Sequence, residues 1–192
     1  MKKSLFTLSV ATFTLMSSLL PISTSAGTYY GGRPSGNFNV YYDQSVNSYG
    51  YQHHLDDGKN QWSNITPKVS ITYVQDTSSA PDKAYVSETS RENLLGSQTP
   101  YKKNFWGISP ANNSDVWYYS TITLYDNNIK NASYMTKVAI ATHEFGHALA
   151  LADNSSSNKQ SIMAGELDSD QNINNYSPTN YDTQDLISKY GR

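Results

Sequence analysis

Residues 38–42 alternate large aromatic or branched side chains with polar ones, a period of two that predicts a half-buried strand. Between 47 and 64, Tyr51, Leu55 and Trp62 recur at loosely helical spacing, so a helix is expected, with Asp56-Asp57-Gly58 as its weak point. β-branched residues mark 69–74 as a strand, 84–87 is a shorter one, and 117–125 carries the clearest strand pattern. Clusters of Gly, Pro, Asn and Ser over 90–114 read as loop around a short Phe105-Trp106-Gly107-Ile108 segment. From about Ser133, whose hydroxyl suits a helix cap, an apolar-to-small stripe runs through Met135, Val138, Ala139, Thr142, Phe145, Gly146 and Leu149. Thr179-x-x-Asp182 has the form of a capping box and opens a last helix, which gives Asp182 a structural explanation in preference to a catalytic one. Strands interleaved with two helices, followed by a small loop-rich C-terminal part, predict an α+β domain with a mixed sheet.

The first 26 residues read differently. Met1-Lys2-Lys3 precedes an apolar run broken only by Ser and Thr, and Thr24-Ser25-Ala26 offers small residues for a cut. This is the pattern of a signal peptide, too short and too hydroxylated to span a bilayer, so residues 1–26 are expected to be removed and 27–192 to form one secreted, extracellular domain. Without Lys2 and Lys3, 12 basic residues face 16 acidic ones, a net charge of about −4. No basic patch stands out, which argues against nucleic acid or an anionic membrane as a partner, and a monomer is expected. The chain has no cysteine, so stability must come from the core and from bound metal.

The chemistry concentrates in His143-Glu144-Phe145-Gly146-His147-Ala148-Leu149-Ala150-Leu151-Ala152-Asp153. Helical residues four apart lie about 40° apart around the axis and about 6 Å along it, so the rings of His143 and His147 can reach one ion. Glu144, between them, is poorly placed to ligate but well placed to take a proton from a water at the metal, the work of a general base. Catalytic zinc takes three protein ligands and leaves one position open, and Asp153 lies where the chain can fold back to supply the third. A helix flank that is otherwise packed would not carry these polar groups without a partner for them. Zinc is therefore the expected cofactor.

The same stretch resembles the metzincin proteases, whose signature is H-E-x-x-H-x-x-G-x-x-H/D followed by a methionine turn. Ser161-Ile162-Met163 looks like that turn, and the resemblance assigns Met163 the role of an apolar floor beneath the metal. HEFGHALAL, together with the tail from Asn180 to Gly191, is most similar to the matrixin branch, the matrix-metalloprotease type. The resemblance implies a metzincin-like (zincin) fold with a mixed sheet, a long active-site helix and a small C-terminal part ending in a helix. It also implies a zinc metalloendopeptidase acting on protein or peptide substrates. The segment after the methionine turn, 165–176, would form one wall of the pocket for the residue following the cut bond. Two positions depart from the pattern: Ala150 stands where the family has Gly at a sharp turn, and the third ligand is Asp153 instead of the commoner His. No Cys is present to block the zinc from a propeptide, and no Tyr follows two residues after Met163, so the tyrosine ligand of the astacin and serralysin branches is absent.

Three alternatives stand beside this reading. A gluzincin-type site would take its third ligand from Glu166, although the chain beyond it is short for that architecture. A non-catalytic secreted binding module would keep zinc for stability alone, but a purely structural site needs no base at Glu144. Asp168-x-Asp170-x-Asn172-x-Asn174 alternates oxygen ligands like a calcium loop, yet lacks the central glycine and the closing Glu, so calcium competes with an ordinary polar loop. His53 and His54 are adjacent, point different ways on a helix, and read as a solvated or partly packed pair.

Overall fold

The computed structural model describes residues 27–29, 31–154, 161–164 and 175–192. The leader at 1–26, Glu166, the calcium-loop residues 168–174 and nearly all of the 165–176 wall lie outside the described residues.

Among the described residues six strands form one sheet: β1 (Gly36–Tyr42), β2 (Val69–Val74), β3 (Asp82–Ser87), β4 (Gly96–Asn104), β5 (Gly107–Pro110) and β6 (Tyr119–Tyr125). Their order is β2-β1-β3-β6-β4-β5. The first four in that order are mutually parallel, whereas β4 runs antiparallel to β6 and turns back on itself to make a hairpin with β5. The helices are α1 (Gln44–Ser48), α2 (Gln52–Asn60), α3 (Asp126–Ile129), α4 (Tyr134–Ala148) and α5 (Asn180–Tyr190). Alternation along the strands turns Val40 and Tyr42, Ala84 and Val86, and Ile122 and Leu124 to one side, where they join Leu55, Trp62, Ile140 and Phe145 in the core. Helix α4 packs on β4 and β6, and α2 packs on α4. Since α4 is covered on nearly every side, it is apolar or small almost all round, unlike the one-sided stripe of a surface helix.

Two elements differ from expectation. The helix foreseen over 47–64 is two helices, broken at Gly50, whose φ of +76° only glycine adopts without strain. Asp43 opens α1 by accepting the Ser45 N–H at 2.9 Å. Gly58 does not break α2. It is where α2 presses against α4, and a Cβ there would stand 2.6 Å from the Ala141 Cβ. Trp62 falls beyond α2, and its indole N–H donates to the Thr142 carbonyl at 2.9 Å. The second difference is the 90–114 stretch, which contains the hairpin β4–β5 instead of loop. Its strand β4 is half-buried along most of its length on both faces, so it carries none of the apolar-polar alternation that announces a strand. Among the described residues no helix is long and apolar enough to cross a membrane.

Candidate metal centre

Helix α4 begins at Ser133, whose Oγ accepts the Thr136 N–H at 3.1 Å, and places His143, Glu144 and His147 in its last two turns, all buried. Beyond Ala148 the chain must leave the helix at once to bring Asp153 round. Ala150 makes that turn with φ at 60°, the left-handed region that an alanine enters at a cost of roughly 1 kcal/mol. Its methyl finds room because residue 32 is glycine: a Cβ there would lie 2.5 Å from the Ala150 Cβ. Arg33 Nε donates to the Ala148 carbonyl at 3.0 Å and Tyr190 Oη to the Leu149 carbonyl at 2.9 Å, which satisfies the helix end. The returning segment is held from both sides. Thr28 bridges Leu151, the Ala152 N–H donates to the Gly27 carbonyl at 3.1 Å, and the Asn154 N–H donates to the Met163 carbonyl at 2.6 Å.

Asp153 is thereby brought to the two rings. Its Oδ1 lies 3.4 Å from His143 Nε2 and 3.2 Å from His147 Nε2, and the three ligand atoms all lie within 4.8 Å of one another. The two rings stand at 87° to each other. Each Nδ1 lies 2.9 Å from a backbone carbonyl, that of Ile162 for His143 and that of Leu151 for His147. A carbonyl can only accept, so each Nδ1 carries a proton, and in the neutral ring the Nε2 lone pair is the one free for a metal ion. Among the described residues this is the one cluster able to hold a metal ion.

Electrostatics follow burial. Burial, helped by the neighbouring His147, pushes His143 down to about 4, so it is a neutral ligand at ordinary pH. Burial raises Glu144 to about 7, and its Oε2 is buried without a hydrogen-bond partner. At His147 burial works downward, but the hydrogen bond to Asp153 and the Glu144 carboxylate carry the ring above its usual range. The same hydrogen bond holds Asp153 below the usual carboxylate range. A proton on His147 Nε2 and a metal ion thus compete for the same atoms. A pair of buried histidines, a carboxylate in reach of both, and a second carboxyl lacking any partner beside them make a donor set that fits a divalent ion with an open position.

Met163 is fully buried against α4 at Gly146, where any side chain would collide with its sulfur. Its turn is anchored by Asp182, which is completely buried and accepts from Ser161 Oγ at 2.5 Å, the Ile162 N–H at 3.1 Å and the Met163 N–H at 3.4 Å. The same carboxylate closes the capping box of α5 through the Thr179 N–H at 2.7 Å. Asp182 therefore does more than cap: it fixes the Ile162 carbonyl that orients His143. Spacing alone could not show this, because the turn and the cap are joined only in space. Two other neighbours escape a sequence reading. Gly96 of β4 faces Glu144, and Tyr29 lies on His147 with ring centroids 6.4 Å apart. The phenol of Tyr29 is raised by burial and then by the charges of Asp153 and Glu144. His54 packs between Tyr51 and Tyr134 and joins no ligand cluster among the described residues.

No family model and no curated protein matches the chain. Among solved structures it is similar to a chain of one described as the "GM1 bound form of the ECX AB5 holotoxin", with a TM-score of 0.50 and 15% identity over 84% of this chain and 82% of that one. Likeness at that identity is a likeness of fold. These findings correct three expectations. Membership of the metzincins, matrixin-like or otherwise, is not supported, since no family model matches and the similar fold belongs to a holotoxin chain. The fold class is likewise not metzincin-like (zincin) but, among the described residues, a mixed six-stranded sheet with five helices resembling that chain. The label zinc metalloendopeptidase loses the family it rested on, so no such activity comes to this chain from its relatives. The physical reason is that a His-Glu-x-x-His motif specifies the geometry of one helix face, while the fold carrying it is decided by the rest of the chain.

Proposed function

We propose that His143, His147 and Asp153 hold a zinc ion and that Glu144 serves beside it as general base in the hydrolysis of peptide bonds of protein substrates. The observation that carries this reading is the convergence of three ligand atoms within 4.8 Å, next to a buried carboxyl oxygen that has no partner. Zinc bound there would polarise a carbonyl and bring the pKa of a water toward neutrality. Glu144, with its pKa near 7, can accept a proton from the attacking water and return it to the departing amine. An extended peptide has a place to lie: residues 96–99 of β4 pair with β6 on one side, and β5 covers only residues 101–104 on the other. Export through the leader at 1–26 is part of the proposal, and the exported chain should begin at Gly27.

A second reading is a secreted binding module that keeps zinc for stability, favoured by the likeness to a chain of a GM1-bound holotoxin. Glu144→Gln separates the two. If the first reading is right, the variant retains one equivalent of zinc by elemental analysis while cleavage of a mixed peptide library, read by mass, falls by about 10² to 10⁴. If wild-type protein loaded with zinc cuts nothing that a chelator can protect, the hydrolytic reading is lost.

A further inference from the structure

We propose that the tip of the β4–β5 hairpin is a lipid-contact site, seating Phe105 and Trp106 in the interfacial region of a bilayer that carries anionic headgroups. The inference is independent of the metal centre.

Asn104 pairs with Gly107, so Phe105 and Trp106 are the whole of a two-residue turn. They are 93% and 90% exposed, far beyond any other large apolar side chain among the described residues. The turn itself does not require them. Its geometry rests on Asn104, whose Oδ1 accepts the Trp106 N–H at 2.9 Å, and on Gly107, whose φ is +126°. Polar residues at 105 and 106 would close the same hairpin, so two bare rings at its apex answer to something outside the chain.

The chemistry selects a membrane over a protein. Two adjacent rings on a projecting turn make a convex point of about 300–500 Å², below the roughly 800 Å² a side that a stable protein interface takes. A point of this shape enters a fluid interface, where Trp is favoured because one edge is apolar and the other carries an N–H. The apolar surface continues behind the tip through Ile108, which sits opposite Lys103 in the ladder, and through Tyr118, under the Lys103 ammonium at 5.2 Å. Charge agrees: residues 101–111 hold two lysines and no acidic residue, in a chain of net charge −2. Lys102 is paired with Asp115 at 2.8 Å, which leaves Lys103 as the cation placed for headgroups. The overall composition, which counts against an anionic membrane, averages away this local asymmetry.

Trp106 is its own reporter, because Trp62 and Trp117 are buried. Phosphatidylcholine vesicles with and without phosphatidylserine, some bearing brominated acyl chains, would be titrated into the exported protein. Expected are a blue shift of tryptophan emission and quenching by bromine, stronger with phosphatidylserine. Phe105→Ser combined with Trp106→Ser should lower vesicle co-sedimentation at least about tenfold, and Lys103→Glu should remove the preference for phosphatidylserine. The proposal is overturned if emission does not change at millimolar lipid, or if the double variant sediments with vesicles as the parent does. It is also overturned if the blue shift appears without lipid and tracks protein concentration, which would assign the tip to contact between copies.

Discussion

The hydrogen atom that serves as a side chain at position 96 decides where Glu144 can sit. A Cβ built there would lie 2.6 Å from Glu144 Oε1 and 2.9 Å from its Cγ. Gly96→Ala should therefore fold and bind zinc stoichiometrically, since the obstructed group is the free end of a side chain. If Glu144 is the base of the proposed hydrolysis, peptide cleavage should nonetheless fall by about 10² or more, because its carboxyl is displaced by a sizeable fraction of an ångström. Glu144 also gives the metal-free protein a pH signature. Its carboxyl titrates near 7 when folded and near 4.5 when exposed, so the folded state binds the proton more tightly. That stability is complete below pH 4.5 and is lost as pH rises through 7, by up to about 3 kcal/mol. His143, held near 4 by burial, acts in the opposite sense over the same window, so the Glu144 contribution is read as a difference: the urea midpoint of the metal-free parent minus that of Glu144→Gln should fall as pH rises from 4.5 through 7. The clustering of His143, His147 and Asp153 was legible in the sequence because each lies within one turn of helix or its exit. Gly96 was not, since its meeting with Glu144 spans 48 positions and leaves no local trace.

Elements were legible where burial is one-sided or a cap is local. Ser133 and Thr179 open α4 and α5 as their hydroxyls suggested, and the strands 69–74 and 117–125 coincide with or enclose β2 and β6. The hairpin was hidden because half-buried β4 has neither an apolar face nor a turn sequence of the usual glycine-asparagine kind. At Gly50 and Gly58 the fold separates two uses of one residue, a left-handed break and a close helix approach, that a sequence presents identically. Between elements, Asp182 ties the start of α5 to the turn at Ile162 and Met163. Asp182→Ala would strand several buried donors and is expected to cost about 3 kcal/mol or more, read as a fall in the thermal midpoint. Zinc affinity, measured by competition with a chromophoric chelator, should drop by about 10- to 100-fold because the carbonyl that orients His143 loosens.

At the level of the whole molecule, both ends of the described chain meet at the exit from α4. The Gly27 N–H donates to Asp185 Oδ2 at 3.0 Å, Lys189 Nζ donates to the carbonyls of Tyr29 at 3.3 Å and Gly31 at 3.2 Å, and Thr66 Oγ1 donates to the Gly191 carbonyl at 2.7 Å. With no cysteine to staple them, these bonds and the buried Arg33–Asp82 pair hold the outer segments in place. A chain shortened to end at Thr179 loses α5, Asp182 and Tyr190 together, and should fail to retain zinc through gel filtration. The helix that carries the proposed ligands is thus made well before the parts that hold them in place. A ribosome has released His147 into its exit tunnel some forty residues before Tyr190 is added, so in the nascent polypeptide the cluster of His143, His147 and Asp153 stays unbraced until α5 has been made.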